Sequence, residues 1–207
     1  MDKISDYIQT LYGNNGVITK NDYEKNNDYR FYCPTIDTSI AAFLSIFIKA
    51  LRPKKILELG TSIGYSTTVM AHAVKSFDGK ITTIEFDKHV AKAALDNFKK
   101  YDVDNIIELI TGDAVEILPT LGTTYDLIFL DLYNQIYPDV LDSCLTLLNS
   151  GGVMLADDTL FPVVKNNGAF YKSNQQVHLF NERIAGSSLV DSYLLPLDDG
   201  ITIIVKK

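Results

Sequence analysis

The stretch Ile56-Leu57-Glu58-Leu59-Gly60-Thr61-Ser62-Ile63-Gly64-Tyr65-Ser66 decides the fold of this chain. An apolar run that carries an acid leads into two glycines with three residues between them, and a helical pattern follows over Thr67 to Val74. Glycine permits a sharp turn from strand to helix and a close approach to the backbone. The first N–H groups of the helix then face the same crevice. The stretch therefore predicts the loop of a nucleotide-type cofactor site.

The composition is that of a single acidic domain. The chain has 207 residues, of which 46% are hydrophobic and 22% charged, and its formal net charge is −7. We expect one domain, with an N-terminal helix and a variable segment in residues 1–35 and the core in residues 36–207. The acidic balance disfavours a nucleic-acid partner, and no apolar stretch is long enough to span a membrane. Two cysteines are too few for a disulfide framework, which favours a reducing, cytoplasmic setting.

Strand and helix patterns alternate along the chain. We expect strands at residues 55–59, 80–86, 106–111, 125–130, 153–156, 189–195 and 200–206. We expect helices at residues 4–12, 37–51, 65–75, 88–101, 114–121, 137–148 and 173–185. The repeated strand–helix units predict a doubly wound parallel sheet with helices on both faces, and the short link at residues 196–200 predicts a hairpin with an antiparallel last strand. The polar residues 14–30 could form a mobile cover or part of a subunit contact.

Acids follow the second and third expected strands. Glu85 ends the second strand, where a carboxylate can accept hydrogen bonds from ribose hydroxyls. Its alternative role, capping the next helix, fits Asp87 better. Gly112-Asp113-Ala114 ends the third strand, where these residues could flank an adenine, although Asp113 could equally be only the N-cap of the following helix.

These motifs resemble the S-adenosylmethionine-dependent O-methyltransferases of the caffeoyl-CoA and catechol type. The resemblance is carried by Glu58-Leu-Gly60…Gly64-Tyr-Ser66, Glu85, Gly112-Asp113-Ala114 and the closing Leu195-Pro-Leu-Asp-Asp-Gly-Ile-Thr202. It implies a seven-stranded, mostly parallel sheet with the last strand antiparallel, and it also implies a homodimer.

The resemblance assigns residues to each part of S-adenosylmethionine. The residues around the methionine end would be Glu58, Gly60, Ser62, Gly64 and Ser66. By the same similarity, Glu85 would hold the ribose, Asp113 and Ala114 would border the adenine, and Asp131 would also lie against the cofactor.

The acids after the fourth and fifth strands predict a cation site. Asp131 follows one strand, and Asp157 and Asp158 follow the other. In the sheet order that the resemblance implies, these strands are neighbours about 5 Å apart, so their terminal side chains converge. Adjacent carboxylates repel unless a cation or a proton intervenes, and a hard divalent ion such as Mg²⁺ or Ca²⁺ suits oxygen ligands. Alternatively, one acid caps the next helix and another faces solvent.

The chain departs from the family pattern at two positions in this region. Asp158 stands where the family has asparagine, which would strengthen cation binding or make Asp158 a base. Asn134 stands where the family usually carries a lysine that is often assigned as the base, and an amide cannot take the proton of the acceptor hydroxyl. The cation could lower the pKa of that hydroxyl alone, or Asp158 or Tyr133 could assist. Equally, the substrate could differ, or activity could be lost.

Three functions are compatible with this pattern. The leading hypothesis is cation-assisted transfer of a methyl group to a hydroxyl of a small, catechol-like aromatic acceptor, with Asp131, Asp158 and the Asn134 position at the reaction centre. The protein would act chiefly by positioning and electrostatics. A second hypothesis is methylation of a hydroxylated tRNA nucleoside, against which the acidic balance counts. A third is a non-catalytic protein that binds S-adenosylmethionine, which Asn134 suggests.

Overall fold

One sheet forms the centre of the fold. The computed structural model describes residues 3–12, 16–165 and 168–207. The strands are β1 Lys55–Leu59, β2 Lys80–Glu85, β3 Ile107–Thr111, β4 Tyr125–Leu130, β5 Leu148–Ala156, β6 Val190–Leu195 and β7 Ile201–Lys206. They lie in the order β3-β2-β1-β4-β5-β7-β6, with β1 to β5 parallel and β7 antiparallel to both β5 and β6. The predicted seven-stranded sheet with an antiparallel last strand is confirmed.

Helices cover both faces of this sheet. They are α1 Lys3–Tyr12, α2 Lys20–Lys25, α3 Thr38–Leu51, α4 Tyr65–Val74, α5 Lys88–Lys100, α6 Ala114–Ile117, α7 Tyr137–Leu147, α8 Phe161–Val164 and α9 Tyr171–Ala185. Leu127 and Phe129 of β4 pack in the core with α3, α4 and α5, whereas Ile128 and Leu130 pack in the core with α7 and α9. Successive side chains of a strand point to opposite faces, so β4 contributes to both cores. Within the described ranges, no helix is long and apolar enough to cross a membrane.

The segment before α3 holds a helix that the sequence pattern did not predict. Tyr23 of α2 is buried and stacks on Tyr101, with ring centroids 4.8 Å apart. Its hydroxyl donates to the carbonyl oxygen of Ile63 at 3.2 Å. A six-residue helix with one buried side chain has no apolar periodicity, so its tertiary contacts rather than its pattern define it. Residues 14 and 15 of the segment expected to be irregular lie outside the described residues.

The fifth strand is longer than predicted. It begins at Leu148, directly after α7, instead of near residue 153. Its pairing with β4 shifts register between Tyr125 and Leu127, and Gly151 has a φ of 74°. A bulge of this kind takes up a glycine pair inside a strand, where the sequence alone suggests a break.

Candidate active site

The predicted site residues meet at the carboxyl ends of the parallel strands. The strand order reverses between β1 and β4, which are neighbours in the sheet although β2 and β3 intervene in the chain. In open α/β sheets, ligands bind in the crevice at such a point. Around this crevice Gly60 follows β1, Glu85 ends β2, Asp131 follows β4 and Asp157 follows β5. The topology thus brings together acids that are far apart in the sequence.

Both glycines of the loop are required by contacts with the protein itself. Gly60 has a φ of 99°, and its N–H donates to the carbonyl oxygen of Ile84 at 3.0 Å. A Cβ atom on Gly60 would lie 1.9 Å from the carbonyl oxygen of Asp131. Gly64 has a φ of 89°, and a Cβ atom there would lie 2.4 Å from the ring of Phe98. The loop is therefore shaped by tight packing against the β4 end and α5, in addition to any ligand.

Glu58 is buried beneath the loop. Its Oε1 accepts a hydrogen bond from Ser66 Oγ at 2.5 Å, and its Oε2 accepts from Thr83 Oγ1 at 2.6 Å and from Thr67 Oγ1. Burial raises the pKa of Glu58 to about 7, although these three hydroxyls oppose the rise. The carboxyl therefore ties β1 to β2 and to the start of α4. The structure places Glu58 and Ser66 under the loop, and their predicted contact with the cofactor stays a prediction.

Glu85 faces the backbone of the same loop. Its Oε2 accepts the N–H of Ser62 at 2.8 Å, and its Oε1 accepts the N–H of Asp87 at 3.0 Å. Burial raises the pKa of Glu85, and the two backbone N–H groups counter this. Asp87 caps α5 by accepting the N–H groups of His89 and Val90, as the sequence predicted. Because another acid fills the cap, the partly exposed Glu85 carboxylate is available to the crevice.

Asp113 and Ala114 lie at the end of β3, on the outer side of the crevice. Asp113 Oδ1 accepts the N–H of Val115 at 2.9 Å, so Asp113 is the N-cap of α6. Gly112 donates its N–H to the carbonyl oxygen of Glu85 at 2.9 Å, which holds this loop beside the end of β2. Asp113 therefore has the capping role that the sequence left open. Its predicted contact with the adenine, and that of Ala114, stay predictions.

Asp131, Asp157 and Asp158 form an acidic group beside the glycine loop. Asp157 is buried, whereas Asp131 and Asp158 are partly exposed. The N–H of Asp131 donates to Leu59 at 2.9 Å, and the N–H of Asp157 donates to Leu130 at 3.0 Å. Asp158 has a left-handed φ of 57°, and its N–H donates to Asp157 Oδ1 at 2.9 Å. The ends of β4 and β5 thus present three carboxyls to one region.

Burial and nearby charges raise the pKa values of these three carboxyls. Burial, followed by the charges of Asp157 and Asp158, raises the pKa of Asp131 well above its usual range. Burial, followed by the charge of Asp158, also raises the pKa of Asp157. The pKa of Asp158 is raised to about 6 by burial and by Asp199 and Asp198. Among the described residues, however, no three His, Cys, Asp or Glu side chains are arranged to hold a metal ion. The cation role of these acids therefore stays a prediction.

Asn134, which the resemblance places where a lysine is usual, follows Asp131 by three residues in the chain. Asn134 lies in a 3₁₀ turn over residues 134–136 and is 7% exposed. Tyr133 beside it is 67% exposed, and its hydroxyl accepts a hydrogen bond from the amide of Gln135. The amide of Asn134 cannot take a proton, so proton transfer from an acceptor would use another group.

The link between β6 and β7 contributes charges that the sequence reasoning did not assign. Asp198 and Asp199 raise the pKa of both Asp157 and Asp158. Lys165 opposes them at Asp158, and its Nζ lies 3.1 Å from Asp199 Oδ2. The hairpin reaches this site because β7 pairs with β5, a placement that only the sheet order reveals.

A separate cavity of about 360 Å³ lies between α3 and α4. Its lining includes Ser45, Lys49, Val69 and His72, together with residues 16–18. It contains none of the predicted site residues.

The sheet order is that of the Rossmann-like fold found in methyltransferases. The crystal structure of the SAH-bound methyltransferase PaMTH1 from Podospora anserina superposes with a TM-score of 0.85. The two chains are 24% identical, and the match covers 100% of this chain and 97% of the other.

The chain belongs to the O-methyltransferase family. The family model described as O-methyltransferase matches residues 22–207. The caffeoyl-CoA O-methyltransferase of Stellaria longipes is 29% identical over 171 residues, which are 77% of this chain and 70% of the relative. The catechol O-methyltransferase of Niastella koreensis is 29% identical over 160 residues, which are 75% of this chain and 72% of the relative. The chain is thus an S-adenosylmethionine-dependent O-methyltransferase, as the resemblance predicted.

Proposed function

We propose that the enzyme methylates a hydroxyl of a small aromatic acceptor with adjacent hydroxyls, assisted by a divalent cation. The observation that carries the proposal is the group Asp131, Asp157 and Asp158 at the ends of β4 and β5, where burial and the charges of neighbouring acids raise the pKa of each carboxyl. The names of the two relatives, for caffeoyl-CoA and for catechol, support this class of acceptor. Adjacent hydroxyls suit the proposal because both oxygens can approach one cation.

In this proposal, the cofactor lies along the strand ends from β3 to β4. The backbone of Gly60 and Ser62 borders its methionine end, together with Gly64 and Asp131. Glu58 and Ser66 support the loop from below, because their side chains already bond to each other at 2.5 Å. Glu85 binds the ribose hydroxyls with the lone pairs that its two backbone N–H partners leave open. Asp113 and Ala114 border the adenine.

The donor set suits Mg²⁺ or Ca²⁺. Carboxylates are the hard oxygen ligands that these ions prefer. Burial, followed by the charges of neighbouring acids, raises the pKa values of Asp131 and Asp157, and the carboxyls repel one another when they are ionised. A divalent ion would remove that repulsion and allow all three to ionise. When bound, it would lower the pKa of the acceptor hydroxyl.

Asp158 is the residue that we expect to accept the proton of the acceptor hydroxyl. Asn134 cannot accept a proton, and its side chain is largely buried. Asp158 is partly exposed at the rim of the crevice. Its left-handed backbone turns the chain sharply after Asp157, so the two adjacent carboxyls need not point the same way. The enzyme would then hold the acceptor oxygen in line with the methyl group, because catalysis of this kind depends on positioning.

The test is methyl transfer from labelled S-adenosylmethionine to catechol and, as a matched acceptor, phenol. We expect transfer to catechol, loss of transfer with a chelator and recovery with added Mg²⁺. D131A should lose transfer and keep most of its affinity for S-adenosylhomocysteine, whereas D96A, which removes an exposed acid from α5, should behave as the wild type. Transfer that is insensitive to the chelator would overturn the cation role. Transfer to a tRNA nucleoside but to no small acceptor would overturn the substrate class.

Two further features of the protein are proposals of the same kind. The resemblance implies a homodimer, which light scattering on the purified protein would test. The two free cysteines support a cytoplasmic setting. Localisation of a tagged copy in its host would test that setting.

A further inference from the structure

The hydroxyl of Tyr137 lies between the ends of β4 and β5. It is 3.2 Å from the carbonyl oxygen of Leu130 and 3.1 Å from the carbonyl oxygen of Asp157. Leu130 directly precedes Asp131. A tyrosine hydroxyl has one proton to donate, so the two carbonyls share it. One buried side chain thus contacts the backbone at both strand ends that carry the proposed cation ligands.

This contact continues the link between the strands past the end of their pairing. The last paired residues of β4 and β5 are Leu130 and Ala156. Beyond them, the N–H of Asp157 donates to Leu130 at 3.0 Å, and the Tyr137 hydroxyl then joins the carbonyls of the same two residues. On its other side, the N–H of Asp131 is bonded to Leu59 of β1.

Tyr137 is itself held firmly. It is the first residue of α7 and is fully buried. Its ring meets that of Phe180 on α9 edge to face, with centroids 5.4 Å apart. Burial, together with the charges of the three aspartates, raises the pKa of Tyr137 well above its usual range, so the hydroxyl keeps its proton and remains a donor.

We propose that Tyr137 is a positioning residue that sets the spacing of Asp131 and Asp157 and thereby the affinity of the cation site. The inference rests on the proposed cation role of these acids. Tyr137 acts through the Leu130 and Asp157 carbonyls and touches neither the cation nor the acceptor. Groups that orient metal ligands from outside typically change metal affinity by about 10- to 100-fold when they are mutated. Because Tyr137 acts through the backbone, we expect the lower end of this range.

The test compares Y137F with Y125F. Tyr125 is also buried on β4, but it lies at the opposite end of the strand, where its hydroxyl bonds to the side chain of Thr82. Both changes remove one buried hydroxyl and keep the ring. For each protein we would measure Ca²⁺ and Mn²⁺ affinity by calorimetry, S-adenosylhomocysteine affinity and the temperature of unfolding.

We expect Y137F to bind both ions roughly tenfold more weakly than the wild type, with unchanged affinity for S-adenosylhomocysteine. Y125F should keep the cation affinity of the wild type, although its unfolding temperature should fall by about as much as that of Y137F. Equal cation affinity in Y137F and the wild type would overturn the positioning role alone. Equal weakening in both variants would also overturn it, because it would trace the effect to general stability. A wild-type protein that binds neither ion would overturn the cation site and this inference together.

Discussion

Gly60 and Asp131 are in backbone contact. A Cβ atom on Gly60 would lie 1.9 Å from the carbonyl oxygen of Asp131, closer than any real Cβ contact allows. The glycine belongs to the loop that we assign to the methyl donor, and the aspartate belongs to the group that we assign to the cation. One piece of backbone packing therefore fixes the two sides of the proposed reaction centre relative to each other.

Replacing Gly60 with alanine should destabilise the protein by more than about 3 kcal/mol, because either β1 or β4 must move. G151A is the matched control, since Gly151 also has a positive φ, of 74°, but open space around it. Alanine there would introduce only backbone strain, so G151A should lose about 1–2 kcal/mol of stability. G122A, which is open and free of that strain, should unfold as the wild type does. Urea unfolding measures all three, and equal losses in G60A and G151A would contradict the contact.

The buried carboxyl of Glu58 should make stability depend on pH. Burial raises its pKa from 4.5 to about 7, so the folded form binds the proton more tightly than the unfolded form. The stabilising contribution is complete below the lower value and is lost as the pH rises through the upper one. The free energy of unfolding of the wild type relative to E58Q should therefore fall by up to about 3 kcal/mol between these values.

Urea unfolding of both proteins across this pH range measures that difference. E108Q, which changes an exposed acid on β3, should follow the wild type. Parallel curves for the wild type and E58Q would show that Glu58 does not titrate in this window.

Replacing Asp158 with asparagine introduces the residue that the resemblance implies at this position and removes the proposed proton acceptor. We expect kcat for catechol to fall by about a hundredfold or more, which is the usual effect of losing a general base. The affinity for S-adenosylhomocysteine should not change, because the glycine loop is intact. Steady-state kinetics with a parallel binding measurement tests this. D158N with the wild-type kcat would mean that Asp158 takes no part in proton transfer.

Cys33 should report on occupancy of the cofactor loop. Its carbonyl oxygen accepts a hydrogen bond from Ser62 Oγ at 3.0 Å, and its thiol is exposed, whereas Cys144 is buried. We expect saturating S-adenosylhomocysteine to slow alkylation of Cys33 several-fold. The rate of alkylation would be measured by mass spectrometry of the native protein. ATP, as a nucleotide that lacks the methionine end, should give much weaker protection. Identical rates with and without S-adenosylhomocysteine would place the cofactor away from this loop.

The sheet could be predicted from the sequence because its signals are local. Each apolar run such as 125–130 is followed by a turn and a helical pattern, and these alternations imply parallel strands. The sequence pattern does not predict α2, because Tyr23 is held by contacts with Tyr101 and Ile63, which are far away in the chain. The pattern also does not predict the start of β5, because a glycine pair inside a bulge has the same local pattern as a turn.

The candidate site was predictable where position in the sheet decides it. The carboxyl ends of parallel strands lie at the same edge of the sheet, so Glu85 after one strand and Asp131 after another could both be placed at the crevice from topology alone. Two other contacts depend on side-chain directions that no sequence period encodes. They are the hydrogen bonds from three hydroxyls to the carboxylate of Glu58 and the contact between Tyr137 and the Asp157 carbonyl. These hidden contacts are the ones that shape the loop and the acidic group.

The most direct test of this account is a crystal structure of the enzyme with S-adenosylhomocysteine and Ca²⁺. We predict that the sulfur of the bound product lies beside the Gly60 loop and faces an ion held by Asp131, Asp157 and Asp158. A product molecule bound away from that loop, or a saturated crystal in which these three carboxyls hold no ion, would contradict the account.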